Sequence, residues 1–319
     1  MNFNGQTEEK WGLCFAGGGG KGAYEIGVWK ALEECTSIKF QAVSGASVGA
    51  LNAALFATMK EEMAEEIWTS IKPEMLLSVK KDAVAELLKD ILISKIVHMS
   101  LGSVAMSMSL KFTLILQMLD KLPFKTSLMQ YVLNEGVFSR EGLEKLIVSS
   151  GVLDEIGKSP LECFVAVCDV QDIKNKVKYL KLNELKKENI VETLLASSAL
   201  PLVYGKQEVG GRKFRDGGLM DNLPIAPLYS CGCSHIIAIH LETIDYAVKS
   251  LKSKGMVLYE GACVWNIYPR RDLKGIFGTL DFTPKTIQKL ITYGYEDMMY
   301  YIENSEMRLT HLPKSHTII

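Results

Sequence analysis

The sequence predicts an α/β protein, a sheet of short buried strands with helices between and over them. Two observations carry this. Apolar runs of strand length recur at Trp11 to Ala16, Phe40 to Val43, Cys163 to Val167, Ile236 to Leu241 and Val264 to Tyr268, with segments of helical spacing between them. Each of the first two runs leads through a glycine-containing turn into a helical pattern, so the chain opens with two strand–turn–helix units that should lie side by side.

In the first unit, Gly17-Gly18-Gly19-Gly20-Lys21-Gly22 precedes Ala23, Ile26, Lys30, Ala31 and Cys35, a spacing that keeps small and apolar groups on one helical face. In the second, Ser44-Gly45-Ala46-Ser47-Val48-Gly49 precedes Leu51, Ala54, Leu55 and Met59. Glu208 to Phe214 reads as a hairpin turning at Gly210-Gly211, which delivers Arg215-Asp216-Gly217-Gly218 at its exit. Thr283 and Pro284 read as the N-cap and first residue of a last helix, with Ile287, Leu290, Ile291, Met298 and Ile302 on its core face. Without a fixed-period repeat or a low-complexity linker, the chain reads as one domain over residues 8–310, with a helical insertion or lid at about 75–137.

Composition narrows the function classes. A hydrophobic share of 48% and a charged share of 23% are those of a globular protein, and a formal net charge of −1 gives no global case for nucleic acid. Met1 to Lys10 has no apolar core, which speaks for neither a secretory signal nor a transit peptide and leads to the expectation of a cytoplasmic protein. The most apolar stretch, Ile91 to Leu119, is interrupted by Lys95, His98, several serines and Lys111, too often for a membrane span. The seven cysteines are odd in number and scattered, as reduced core thiols are; Cys231, Cys233 and His235 lack zinc-site spacing, and no acidic loop suits calcium, so no metal is expected.

Two features stay open between a functional and a plain structural reading. The segment Ser94 to Tyr131 carries Met99, Met106, Met108, Met118 and Met129 and reads either as a lid or lipid-facing surface or as a pair of core helices. Basic clusters at Lys174, Lys176, Lys178 and Lys181 and at Arg270, Arg271 and Lys274 read as headgroup contacts at a membrane periphery or as solvated faces.

Chemistry concentrates in three motifs. Gly45-Ala46-Ser47-Val48-Gly49 fits the G-x-S-x-G nucleophile elbow, in which small neighbours let the backbone turn sharply between strand and helix and hold the serine above the sheet. The glycine run at 17–22 also joins strand to helix and aims amides at something negative: a dinucleotide, a nucleotide phosphate or the oxyanion of acyl transfer. The dinucleotide reading lacks a ribose-binding acid, since Ile38, Lys39 and Phe40 stand where it belongs. The P-loop reading fails because Phe15 replaces the first glycine and Gly22 replaces the magnesium-binding hydroxyl. The oxyanion reading remains, coupled to Ser47.

A serine needs a base. Among the five histidines only His240, at a strand end, stays a candidate; Asp216 at the hairpin exit is the better one, against the plain reading of Asp-Gly-Gly as a turn.

Taken together, the glycine run, the elbow and Asp216-Gly217-Gly218, with Ala196-Ser197-Ser198-Ala199-Leu200-Pro201 and the Asn222-x-Pro224 pair, resemble the patatin-like phospholipases in kind and in order. The resemblance covers Trp11 to Met59 and about Leu161 to Leu241. It implies a three-layer α/β/α fold around a mixed sheet, Ser47 as nucleophile with Asp216 as its base and no histidine, and an oxyanion hole from Gly17, Gly18, Gly19 and Gly20. Lys21, Gly22, Gly45, Gly49, Gly217 and Gly218 would support those motifs, with Lys21 either bracing the loop or meeting a phosphate headgroup. The implied activity is metal- and cofactor-free hydrolysis of carboxylic esters of phospholipids or other acyl lipids. Neutral-lipid or thioester hydrolysis, and a catalytically silent lipid-binding protein, remain as alternatives.

Overall fold

A computed structural model describes residues 9–80, 131, 133–245, 259–274 and 278–304. Its strands and longer helices run in the order β1 (Trp11–Phe15), α1 (Ala23–Cys35), β2 (Phe40–Ala46), α2 (Val48–Thr58), α3 (Glu61–Ser70), α4 (Glu141–Ser149), β3 (Glu162–Asp169), β4 (Val177–Lys181), α5 (Lys187–Ser197), β5 (Gln207–Val209), β6 (Arg212–Asp216), α6 (Ile225–Ser230), β7 (His235–Ile239), β8 (Cys263–Ile267) and α7 (Pro284–Asn304). The five apolar runs are thus β1, β2, β3, β7 and β8. The hairpin β5–β6 turns at Gly210 and Gly211, both at positive φ (54° and 80°), as a two-residue turn of this hand requires.

The strands form one mixed sheet in the order β5-β6-β3-β2-β1-β7-β8, with β4 also paired to β3. Strands β3, β2, β1, β7 and β8 are parallel to their neighbours, and β4 and β6 run antiparallel to β3. The chain passes from β1 to β2 on one side and returns much later to β7 on the other. The carboxyl end of β1 is therefore a topological switch point, where a crevice opens in such sheets. Both the glycine loop and Ser47 stand there.

Alternation along the strands divides the core into two layers. Leu13, Phe15, Val43, Val165, Val167, Ile237 and Ile239 face the helices α1, α2, α3, α4, α5 and α7. Their neighbours Cys14, Ala42, Ile236 and Ala238 face the opposite side, where Ile225 and Leu228 of α6 cover them. Helix–sheet–helix is the three-layer arrangement that the sequence resemblance implies.

Much of the expected insertion, and the methionine-rich stretch apart from Tyr131, lies outside the described residues. Its two ends meet: Val79 bridges Phe138, and Lys80 N–H donates to Val137 C=O at 3.0 Å. The intervening chain thus leaves and rejoins the domain at one place. Among the described residues, no helix is long and apolar enough to cross a membrane.

Helices α1 and α7 cross with their backbones in close approach. A Cβ on Gly27 would stand 1.9 Å from the Ile291 carbonyl oxygen, and one on Gly294 would stand 1.9 Å from that of Tyr24. The crossing is held by the buried Asp297, which accepts hydrogen bonds from the Tyr24 hydroxyl (3.2 Å) and the Arg270 N–H (3.0 Å). Gly294→Val should therefore force the helices apart and lower unfolding stability by about 1–3 kcal/mol or more. Gly157→Ala, where a Cβ meets nothing within 4 Å, is the neutral control in the same thermal melts.

Candidate active site

Strand β2 ends at Ala46 and α2 begins at Val48, leaving Ser47 to make the whole turn at φ 54°, ψ −126°. Such a backbone costs a non-glycine residue about 1–3 kcal/mol and persists only where its surroundings impose it. The flanking glycines show why it persists. A Cβ on Gly45 would lie 2.0 Å from the Gly49 carbonyl oxygen, and one on Gly49 would lie 2.5 Å from that of Phe15, so the elbow is pressed against itself and against β1. Ser197, at the end of α5, completes the clamp: its Oγ accepts the Ser47 N–H (2.9 Å) and donates to Ala166 C=O on β3 (2.7 Å).

Asp216 arrives beside Ser47 through the strand pairing. One edge of β3 is taken by β4 over residues 164–168. The other is taken by β2 up to Ala166 and then by β6 at residues 167–169. Strand β6 therefore enters, antiparallel, the lane that β2 vacates when the chain turns at Ser47, and its last residue is Asp216. The Ser47 hydroxyl donates to Asp216 Oδ2 at 2.7 Å, and Gly218 N–H donates to Oδ1 at 2.8 Å. Asp216 is 3% exposed. Burial pushes its pKa up to about 7, against the opposing pull of the hydrogen bonds from Ser47 and Gly218. A carboxylate made that basic can accept a hydroxyl proton far better than an exposed one.

The glycine loop borders the same point. It enters a 3₁₀ turn over Gly19–Gly22 in which Lys21 N–H is bonded to Gly18 C=O (3.3 Å), so the turn itself offers no acceptor to the amides of Gly18, Gly19 and Gly20. Gly19 adopts φ 56°, and a Cβ there would come within 2.0 Å of the Thr279 carbonyl oxygen. Lys21 is buried with its ammonium paired to Glu242, which ties the loop to the segment after β7. Ser47 and Gly19 both line a cavity of about 110 Å³ whose other walls are almost wholly apolar, among them Leu51 and Leu55 of α2, Ile147 of α4, Leu194 of α5 and Phe282.

A sequence profile described as patatin-like phospholipase matches residues 13–229. The chain belongs to the patatin-like phospholipase family. Membership supports a hydrolase of lipid esters and a lipid substrate. Solved structures similar to the chain include VipD from Legionella pneumophila, at 16% identity and a TM-score of 0.46, covering 93% of this chain and 67% of that one. The type III effector ExoU of Pseudomonas aeruginosa is similar at 18% identity and 0.39, covering 93% and 53%. Human GIVD cytosolic phospholipase A2, in complex with methyl gamma-linolenyl fluorophosphonate, is similar at 10% identity and 0.40, covering 92% and 57%. This patatin-like chain thus spans little more than half the length of the latter two. No curated protein sequence matches it.

Within this patatin-like domain the residues singled out in the sequence fall into three groups. Ser47 and Asp216 touch, and Gly45, Gly49, Gly217 and Gly218 shape the turns that carry them. Gly17 differs from the rest of its loop: its N–H is given to Asn222 C=O (3.0 Å), while Asn222 Nδ2 donates to Gly17 C=O (3.0 Å), so Gly18, Gly19 and Gly20 are the candidate oxyanion donors. His240 is engaged elsewhere, with Nε2 2.8 Å from Asn266 Oδ1 and its ring stacked on Tyr268. Cys231 and Cys233 are free thiols with sulfurs 3.8 Å apart, and among the described residues no group of three or more His, Cys, Asp or Glu side chains converges as a metal site would. Nothing in the sequence marks Thr279, Leu280 and Phe282 as cavity walls, because a threonine beside leucine and phenylalanine is what any core segment carries.

Asp216 should weaken the fold it serves. Its unfolded pKa is about 3.9. Between that value and about 7 the unfolded chain has released the proton while the folded chain still holds it, so the residue removes stability as pH rises through this window. Asp216→Asn should raise the melting temperature by several degrees at pH 8 and change it little at pH 4; equal shifts at both pH values would contradict the raised pKa.

Proposed function

We propose that the protein is a phospholipase A-type acyl hydrolase that cleaves carboxylic esters through Ser47 and Asp216. The observation that carries the reading is that the hydroxyl bonded to a buried carboxyl group at 2.7 Å opens onto an apolar cavity. A polar reacting centre at the mouth of an apolar channel suits an ester whose acyl half is a hydrocarbon chain.

In the cycle, Asp216 takes the Ser47 proton as Oγ attacks the ester carbonyl carbon, and the amides of Gly18 to Gly20 together with the positive end of α2 stabilise the oxyanion. Collapse of the tetrahedral intermediate breaks the ester carbon–oxygen bond. Protonated Asp216 returns its proton to the leaving alcohol or lysophospholipid, and an acyl-serine remains. Asp216 then deprotonates a water that attacks this ester, and the proton passes back to Ser47 as the fatty acid leaves. One carboxyl group alternates as base and acid in both halves, which is why a pKa near neutrality suits it better than an ordinary aspartate value. The clamp by Ser197 holds the nucleophile in place, so that little reorganisation is required on attack.

The cavity also bears on chain length. Its wall follows α2 from Ser47 to Leu55, roughly 12 Å at the helical rise. Ile147, Ser150 and Val152 line it as well, and the chain that follows is pinned to the end of α2 by Ser159 Oγ donating to Ala57 C=O at 2.6 Å.

A fluorophosphonate probe followed by intact-mass measurement should add once to the parent protein and not to Ser47→Ala. A parent that takes no label would favour a catalytically silent lipid-binding protein. Release of fatty acid from phosphatidylcholine in preference to triacylglycerol or acyl thioester should follow, with a rate that rises with pH to half its plateau near pH 7. Leu55→Phe should shorten the cavity: turnover of short-chain esters should persist while that of long-chain esters falls about tenfold, and an unchanged ratio would mean that the acyl chain lies elsewhere.

A further inference from the structure

Among the described residues, five of the ten exposed large apolar side chains lie at one edge of the sheet, and the other five, Met63, Val79, Val148, Tyr229 and Tyr300, lie on other segments. Ile173 is 84% exposed, Ile244 55% and Met220 49%, with Leu219 and Val170 also on the surface. These five come from three separate connections: Val170 and Ile173 from the loop after β3, Leu219 and Met220 from the turn after Asp216, and Ile244 from the chain after β7. All three leave the sheet at the carboxyl ends of its parallel strands or directly from Asp216, the same edge at which Ser47 stands.

The same edge carries exposed lysines together with two exposed acids, Glu208 opposite Lys213 on the hairpin and Asp245 beside Ile244. Lys174 and Lys176 follow Ile173, and Lys213 joins them because the β5–β6 hairpin reaches past the end of β3; Val170 N–H donates to Lys213 C=O at 3.1 Å. The acid within this loop is engaged: Asp172 accepts the N–H groups of Lys174 and Asn175 and pairs with Lys178 at 2.9 Å. By contrast Lys181, from the same sequence cluster, stands at the other end of β4 and pairs with Glu162 and Glu184. The structure thus divides one run of lysines into a part in the loop at the carboxyl end of β3 and a part turned to an ordinary ion-pair network.

We infer that this edge is a docking face for a phospholipid bilayer carrying anionic headgroups, with Ile173, Ile244 and Met220 entering the interface and Lys174, Lys176 and Lys213 meeting phosphates. Apolar tips beside exposed lysines are the chemistry of a surface that lies on a membrane without crossing it. The arrangement places the candidate nucleophile against the bilayer, so that an acyl chain reaches Ser47 without passing through water. The inference rests on the lipid-hydrolase reading of this site.

The test uses full-length protein carrying Ser47→Ala, so that vesicles survive, in co-sedimentation with phosphatidylcholine vesicles with and without phosphatidylglycerol. Binding should require phosphatidylglycerol and weaken as salt rises. Adding Ile173→Asp with Ile244→Asp should reduce the bound fraction at least tenfold, and Lys174→Glu with Lys176→Glu should do the same on anionic vesicles. In the Ser47-intact background, hydrolysis of a short soluble ester should be unchanged by either pair. A parent protein that binds neither vesicle, that binds both equally, or that keeps its binding in the Ile173→Asp/Ile244→Asp variant overturns the docking face. Failure to hydrolyse the soluble ester with vesicle binding intact instead overturns the enzymatic reading.

Discussion

The contact between Ser47 and Asp216 depends on one edge of β3 being shared by two strands. Strand β2 uses that edge up to Ala166 and stops because Ser47 turns into α2; β6 uses the remainder from Val167, in the opposite direction. Two residues 169 positions apart in the chain thereby meet at 2.7 Å. If β2 continued by one more pair, it would take Val167, the residue against which Asp216 is held. The strained turn at Ser47 and the packing of Gly45 against Gly49 are thus conditions of sheet topology as well as of chemistry.

The same contact places a carboxyl group where water does not reach it. Burial would ordinarily exclude such a group or leave it permanently neutral. Here two hydrogen bonds, from the Ser47 hydroxyl and the Gly218 amide, favour the ionised form enough to hold its pKa near 7. Stability and basicity are opposed at this position, since the desolvation that weakens the fold at high pH is what makes the carboxylate a competent base. The other buried acids serve differently. Glu25, pushed well above the carboxylate range by burial, accepts the Asn52 amide at 2.7 Å, and Asn52 in turn donates to Gly22 C=O and accepts from the Trp68 indole. That network props the start of α1 beneath the glycine loop.

Around this centre the molecule separates its tasks by layer. The α6 side of the sheet is closed by a small cluster with Leu228 at its middle. The opposite side holds both the main core and the apolar cavity, which is walled by α2, α3, α4, α5 and the stretch Thr279 to Phe282. The reacting groups and Ile173, Met220 and Ile244 fall at the carboxyl edge, where loops are free to vary without disturbing the sheet.

Local features were legible in the residues alone. Strands β1, β2, β3, β7 and β8 show as apolar runs, the hairpin shows in Gly210-Gly211, and the last helix shows in Thr283-Pro284, because each is specified by periodicity or turn chemistry within a few residues. The elbow at Ser47 and the glycine loop are legible for the same reason. That Asp216 belongs with Ser47 could be supported from the sequence only by resemblance to a family, since no local rule links a hairpin exit to a turn so far upstream. The engagement of the Gly17 amide by Asn222, the pairing of Lys21 with Glu242, the cavity walls at Thr279 to Phe282 and the division of the lysine run were decided by tertiary structure. Each depends on which segments share a strand edge or face a common space, and such adjacency is a property of the folded sheet that no stretch of chain carries by itself.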